Sequence, residues 1–185
     1  MDQTKLAAAS LRVIEDWGGA HRVALAYIAD RLGIFRALAS GGPATSAELA
    51  RTGLNERYLR EWAAAMATAG YVEYDPEERR FSLSPEQAAV LAGEGGRAFL
   101  GGGFQYAQAC VRKVPELMDA FRHGGGVPFA DFGPEISEAI ARLFAPGYES
   151  AVAAEWIPAL GEIHERVQRG AQVAEVGCGT GQALI

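Results

Sequence analysis

Toward the C-terminal end of the sequence, Glu175-Val176-Gly177-Cys178-Gly179-Thr180-Gly181 places a carboxylate two residues ahead of three alternating glycines. Ala171-Gln172-Val173-Ala174 leads into the acid, and Gln182-Ala183-Leu184-Ile185 follows the last glycine. This order predicts a strand, a tight glycine loop and the first turn of a helix, the opening of a Rossmann-like α/β domain. Glycine suits such a loop because the chain must turn sharply and because a β-carbon would hold the backbone away from a ligand. The spacing discriminates between ligands. A dinucleotide fingerprint reads G-x-G-x-x-G, whereas here Gln182 stands where the third glycine belongs. A P-loop is excluded, since no Gly-Lys-Ser/Thr follows. A ligand with two phosphates gains nothing from a carboxylate at Glu175, whereas a zwitterionic or cationic ligand tolerates it.

Other chemistry-bearing residues are scattered. His21, His123 and His164 fall one to a segment without partners at metal-ligand spacing, and no metal site is expected. His164, beside Glu162 and Glu165, reads as part of a solvated helix face. Cys178 reads as a small loop residue and Cys110 as a core thiol. Phe104, Tyr106, Phe129 and Phe132 are candidates for a pocket wall, with core packing the commoner fate. No catalytic base is assigned.

The elements that must position the loop are helical. Leu6, Val13, Ile14 and Trp17 recur at helical spacing up to Gly18-Gly19, which should stop that segment. From His21 to Leu38 the helix is apolar on more than one face, as in a helix buried between partners, and Gly41-Gly42-Pro43 ends it. Thr45 and Glu48 form a capping box opening a short helix over 47–51 that Gly53 closes. Asn55 caps a longer helix with Tyr58, Leu59, Trp62, Ala63, Met66 and Ala69 on one stripe, ended by Gly70. Residues 71–74 and 80–83 read as strands of a hairpin turning at Asp75-Pro76-Glu77-Glu78. Ser84, Pro85 and Gln87 then restart a helix. Helix, short helix, long helix and hairpin make a winged helix-turn-helix. Further on, one helix is predicted from Arg97 to His123, with Gly101-Gly102-Gly103 marking a bend or the close approach of another backbone. Residues 127–133 form a loop. Helices over 135–143 and 148–157 should be separated by Ala145-Pro146-Gly147, and another runs from Leu160 to Val167. The expected domains are therefore 1–92, helical with the winged helix; 93–170, a helical connector or cap; and 171–185, the start of the α/β domain.

Composition sets the outer limits. The 185 residues are 49% hydrophobic and 22% charged, with 23 glycines and a net charge of −6. That balance suits a globular, mostly α chain and repels a phosphate backbone. Two cysteines are too few for a disulfide framework, and Arg12, Glu15 and Asp16 interrupt any leader-like apolar run. A soluble cytoplasmic protein without a membrane span is expected.

The loop from Glu175 to Gly181 resembles motif I of class I S-adenosylmethionine-dependent methyltransferases. Upstream, the winged helix, Gly126-Val127-Pro128-Phe129 and Glu155-Trp156-Ile157-Pro158 are similar to a bacterial branch with an N-terminal winged-helix domain, whose members often carry the label transcriptional regulator. The resemblance implies S-adenosyl-L-methionine as cofactor, with Glu175 ordering the loop. Gly177, Cys178, Gly179, Thr180 and Gly181 would then present backbone to the methionine and ribose parts. It also implies a small-molecule acceptor, with the winged helix serving as a dimerisation element or substrate cap in a homodimer. The sequence departs from the family in stopping four residues after Gly181. The acid of the second strand, the adenine-binding loop and the later strands are absent, so the chain as given reads as truncated and inactive alone. Two alternatives stand beside this reading. One is a winged-helix regulator binding DNA, disfavoured by five bases against eight acids between Pro43 and Val90. The other is a non-catalytic dimerisation module.

Overall fold

The computed structural model describes residues 1–182, and the chain divides into two units, Met1–Ala92 and Gly93–Ile185. In the first unit, α1 (Gln3–Leu32) starts at Asp2, whose carboxylate accepts hydrogen bonds from the Thr4 and Lys5 amides at 3.0 and 3.2 Å. The helix runs through Gly18-Gly19, contrary to the expected stop. Each glycine costs about 1 kcal/mol relative to alanine, too little to break a well-capped 30-residue helix. Termination comes instead at Gly33, whose φ of 72° is left-handed, and α2 (Ile34–Gly41) follows at once.

The winged helix-turn-helix forms as the capping signals indicate. Thr45 and Glu48 make the capping box of α3 (Ser46–Leu49), which runs into a 3₁₀ turn closed by left-handed Gly53. Asn55 caps α4 (Glu56–Thr68), which buries Leu59, Trp62, Ala63 and Met66. Tyr58 lies on the exposed side of that helix, off the predicted stripe. Trp62 packs edge-on against Phe35 with ring centroids 5.7 Å apart, and its indole N–H donates to the Leu25 carbonyl at 3.1 Å, tying α4 to α1. The wing pairs β1 (Glu73–Asp75) antiparallel to β2 (Arg80–Ser82), with Tyr74 opposite Phe81. The first strand starts two residues later than predicted, because the chain leaves α4 through a turn closed by the Tyr71 N–H on the Met66 carbonyl. Asp75 holds the turn by accepting from the Glu77 and Glu78 amides. Ser84 and Gln87 form a second capping box at α5 (Pro85–Leu91), and the Gln87 amide also donates to the Gly70 carbonyl.

In the second unit the predicted 97–123 helix is two: α6 (Gly101–Val111) and α7 (Val114–His123). The glycines open α6 rather than interrupt it. The break falls before Pro115, which lacks an N–H and therefore suits a first turn. The predicted close approach does occur. A β-carbon on Gly102 would lie 2.6 Å from the Leu143 nitrogen and 2.9 Å from the Ala139 oxygen, both backbone atoms of α8 (Pro134–Ala151). Conversely, the predicted break at Ala145-Pro146-Gly147 does not occur. Pro146 is buried inside α8, and its carbonyl accepts from the Ser150 hydroxyl at 2.7 Å. Pro158–Leu160 form a 3₁₀ turn before α9 (Glu162–Gln168), ended by left-handed Gly170. Residues 171–175, expected as a strand, form no ladder. A lone parallel strand has no neighbour to take its N–H and C=O groups. The helical turn expected after Gly181 falls mainly on residues 183–185, which lie outside the described residues. Among the described residues no helix is long and apolar enough to cross a membrane.

Candidate functional site

The glycine loop has the backbone its residue types call for. Gly177, Gly179 and Gly181 have φ of 76°, 56° and 78°. A side chain in that region costs on the order of 1–2 kcal/mol. Nothing lies within 4 Å of where their β-carbons would be, so the backbone angle, not crowding, selects glycine here. The loop closes on itself through the Gly181 N–H, which donates to the Cys178 carbonyl at 2.8 Å.

Glu175 is half-buried, and one of its carboxylate oxygens, Oε2, is buried without a hydrogen bond. The side-chain oxygen of Gln182 is in the same condition. A buried acceptor left unbonded costs about 1–3 kcal/mol, so two of them together mark a place where a donor-bearing ligand gains free energy. Both line a pocket of about 130 Å³ with Gly177, Cys178, Gly179 and Thr180. The far wall belongs to α8, through Ile140, Phe144 and Tyr148, with Phe129 from the loop before it. Phe144 stacks on Tyr148 at 6.3 Å, and Tyr148 meets Trp156 edge-on at 6.3 Å.

A second cavity of about 630 Å³ adjoins the first and shares Ser137, Ala141, Thr180 and Gln182 with it. Its charged wall is Glu94, Glu138 and Arg142. Arg142 forms a bidentate pair with Glu94 (2.7 and 3.2 Å), donates to Gln105 at 2.8 Å and lies 5.5 Å from the Phe99 ring centre. Gln105, fully buried, donates in turn to the Glu135 carbonyl at 3.3 Å. This network fixes α6 against α8 beneath the cavity.

The structure thus gathers Glu175, Gly177, Cys178, Gly179 and Thr180 around one pocket, while Gly181 closes the loop behind it. Sequence reasoning missed Gln182 and the α8 residues. In the sequence Gln182 stands only as a departure from a fingerprint, and α8 faces the loop through tertiary packing that no local pattern announces. Of the four aromatic candidates, Phe129 lines the pocket and is 61% exposed, and none of the four is a core residue. Cys110 is half-buried rather than core; it hydrogen-bonds Tyr106 and pushes that phenol's pKa up. Glu162 and Glu165 are exposed, as expected of a solvated helix face, whereas His164 is half-buried with its Nδ1 buried without a hydrogen bond. Among the described residues no group of three His, Cys, Asp or Glu side chains is placed to hold a metal.

S-adenosylmethionine fits the loop residues in part. The orphaned Glu175 and Gln182 oxygens match its ammonium and hydroxyl donors, and the left-handed glycines leave room for close approach. The pocket, at about 130 Å³, holds a fragment of a ligand rather than a whole nucleoside, since drug-sized ligands occupy about 300–1,000 Å³.

The described residues carry a winged helix in the first unit and, in the second, a helical unit with a left-handed glycine loop. Residues 21–93 match the family model described as the Rv2258c-like winged HTH domain, and the first unit carries a winged helix of that type. The chain also shares its fold with CalO1, a methyltransferase in calicheamicin biosynthesis solved in its SAH-bound form. The match covers all of this chain and 55% of that one, at 22% identity and a TM-score of 0.50. The chain therefore spans about half the length of that solved structure. No curated protein matches it.

Proposed function

We propose that this chain is the N-terminal portion of an S-adenosylmethionine-dependent methyltransferase acting on a small-molecule acceptor. The single observation that carries the reading is the pair of unbonded acceptor oxygens, Glu175 Oε2 and Gln182 Oε1, flanking a loop of three left-handed glycines. The likeness to an SAH-bound methyltransferase fold supports it.

Bound S-adenosylmethionine would supply a methyl group on a sulfonium, poised for in-line displacement with a neutral leaving group. Glu175 would accept hydrogen bonds from its donor groups, and Gly177 and Gly179 would bring backbone to within contact distance. Phe144, Tyr148 and Phe129 would exclude water from the transfer path, and exclusion plus alignment is most of what such a displacement asks of a protein. The larger cavity behind Ser137 and Thr180 would take the acceptor. The described residues hold only part of the cofactor, and we propose that residues 1–182 alone are inactive. The winged helix serves in this reading as a pairing element and cap in a homodimer.

Calorimetric titration of the full-length protein with S-adenosylmethionine tests the reading. Glu175→Gln should weaken binding by about tenfold or more, the loss expected when a charged acceptor is neutralised. Gly179→Val should remove it. Absence of binding heat in the unaltered protein refutes the assignment.

A further inference from the structure

The pocket beside the glycine loop carries a charge balance that water exclusion leaves unexplained. Glu175 lines it together with the rings of Phe129, Phe144 and Tyr148, and among the described residues none of its lining side chains is a lysine, arginine or histidine. One Glu175 oxygen is buried there without a hydrogen bond. Phe144 and Tyr148 fall four residues apart on α8, so one face of that helix carries both rings. Their planes lie at 26° to each other, and Trp156, which does not line the pocket, meets Tyr148 at 83° and fixes its plane.

Aromatic faces are negative, and they attract a cation within about 6 Å of the ring centre. A space of about 130 Å³ keeps any occupant close to its wall. Two kinds of cation gain differently in such a place. An ammonium has N–H groups to donate and is answered by the Glu175 carboxylate. A sulfonium has no donor hydrogen, and its charge is spread over methyl and methylene groups, so aromatic rings are what answer it.

We infer that Phe144 and Tyr148 read the charge on the ligand's sulfur, holding the sulfonium of S-adenosylmethionine and discriminating against the thioether that remains after transfer. This rests on the cofactor reading above and goes beyond the water exclusion given there to the same rings. When the S–CH3 bond breaks, its electron pair stays on sulfur, which becomes neutral. The attraction of the rings then vanishes, whereas the Glu175 contacts involve groups that cofactor and product share. The pocket therefore favours exchange of product for fresh cofactor.

Calorimetric titration of the full-length protein with S-adenosylmethionine and, separately, with S-adenosylhomocysteine reads this as a ratio of affinities. The cofactor should bind about 3- to 30-fold more tightly than the product. Tyr148→Leu should bring that ratio toward one by weakening S-adenosylmethionine alone, and Tyr148→Phe should keep it. Phe144, 50% exposed, gives a second variant that leaves the core intact, and Phe144→Leu should lower the ratio in the same way. A ratio near or below one in the unaltered protein overturns the inference and leaves cofactor binding standing. Leucine variants that weaken both ligands equally also overturn it, since that is the effect of rings that only pack. If neither ligand binds, the cofactor reading fails, and the trimethylsulfonium ion tests the pocket by itself. Saturation transfer to its methyl protons that falls in Tyr148→Leu upholds an onium pocket, and transfer unchanged by the variant overturns it.

Discussion

Gly102 offers the sharpest check on the packing that carries the candidate site. A methyl group there would sit 2.6 to 2.9 Å from three backbone atoms of α8, at Ala139, Arg142 and Leu143, none of which is a flexible chain end. The α8 helix must therefore move outward by several tenths of an ångström or more. Overpacking of this sort costs about 1–3 kcal/mol. Gly103, the next residue, faces only the Leu143 side chain, with 3.7 Å between Cδ1 and the position of an added β-carbon, an ordinary contact. Both positions lie in the first turn of α6, so the gain of up to about 1 kcal/mol from replacing glycine with alanine is common to the two and cancels in their difference. Gly102→Ala should accordingly be about 1–3 kcal/mol less stable than Gly103→Ala in urea unfolding followed by circular dichroism. Gly103→Ala itself should be neutral or slightly stabilised. Equal stability of the two variants would falsify the claim that backbone contact, rather than helix propensity, selects glycine at 102.

Two further outcomes follow from the first unit. The Thr45 backbone N–H, and after it the Arg80 guanidinium, hold the Glu48 carboxyl below its ordinary pKa of 4.5. A folded-state value below the unfolded one contributes stability that is present above about pH 4.5 and lost as pH falls below it. The melting temperature of Glu48→Gln should therefore lie below that of the unaltered protein at pH 7, with the gap closing toward pH 3; a gap that does not change with pH refutes the account. The α4 arginines are already engaged, Arg57 with Glu61 at 3.0 Å and Arg60 with Glu56 at 4.0 Å, and the wing carries Asp75, Glu77 and Glu78. Random duplex DNA should consequently show no mobility shift at low salt, and a shift that weakens with added salt would revive the regulator reading.

The helix starts of the winged helix were legible because each rests on chemistry within four residues. Thr45 with Glu48, Ser84 with Gln87, and Asn55 cap their helices by bonding amides two or three positions away, and such signals do not depend on the rest of the fold. The glycine loop was legible for the same reason, since left-handed backbone at 177, 179 and 181 is a property of the residues themselves.

Where the reading failed, length and packing outweighed local signals. Gly18-Gly19 and Pro146 look like helix stops, but α1 and α8 pass through them. The cost of one glycine or one missing N–H is spread over a long ladder, and for Pro146 also over a buried contact surface. The fate of residues 171–175 depends on hydrogen-bond partners from other strands, which no pattern within the segment supplies. The sequence by itself determined the local geometry: caps, turns, the winged-helix order and the left-handed loop. Only the tertiary structure decided that α8 would wall the pocket with Phe144 and Tyr148, that Gln182 would join Glu175 there, and that Gly102 would let two helices touch. Those outcomes depend on residues far apart in the chain meeting in space, and burial and close packing, unlike capping, are not encoded within one turn of chain.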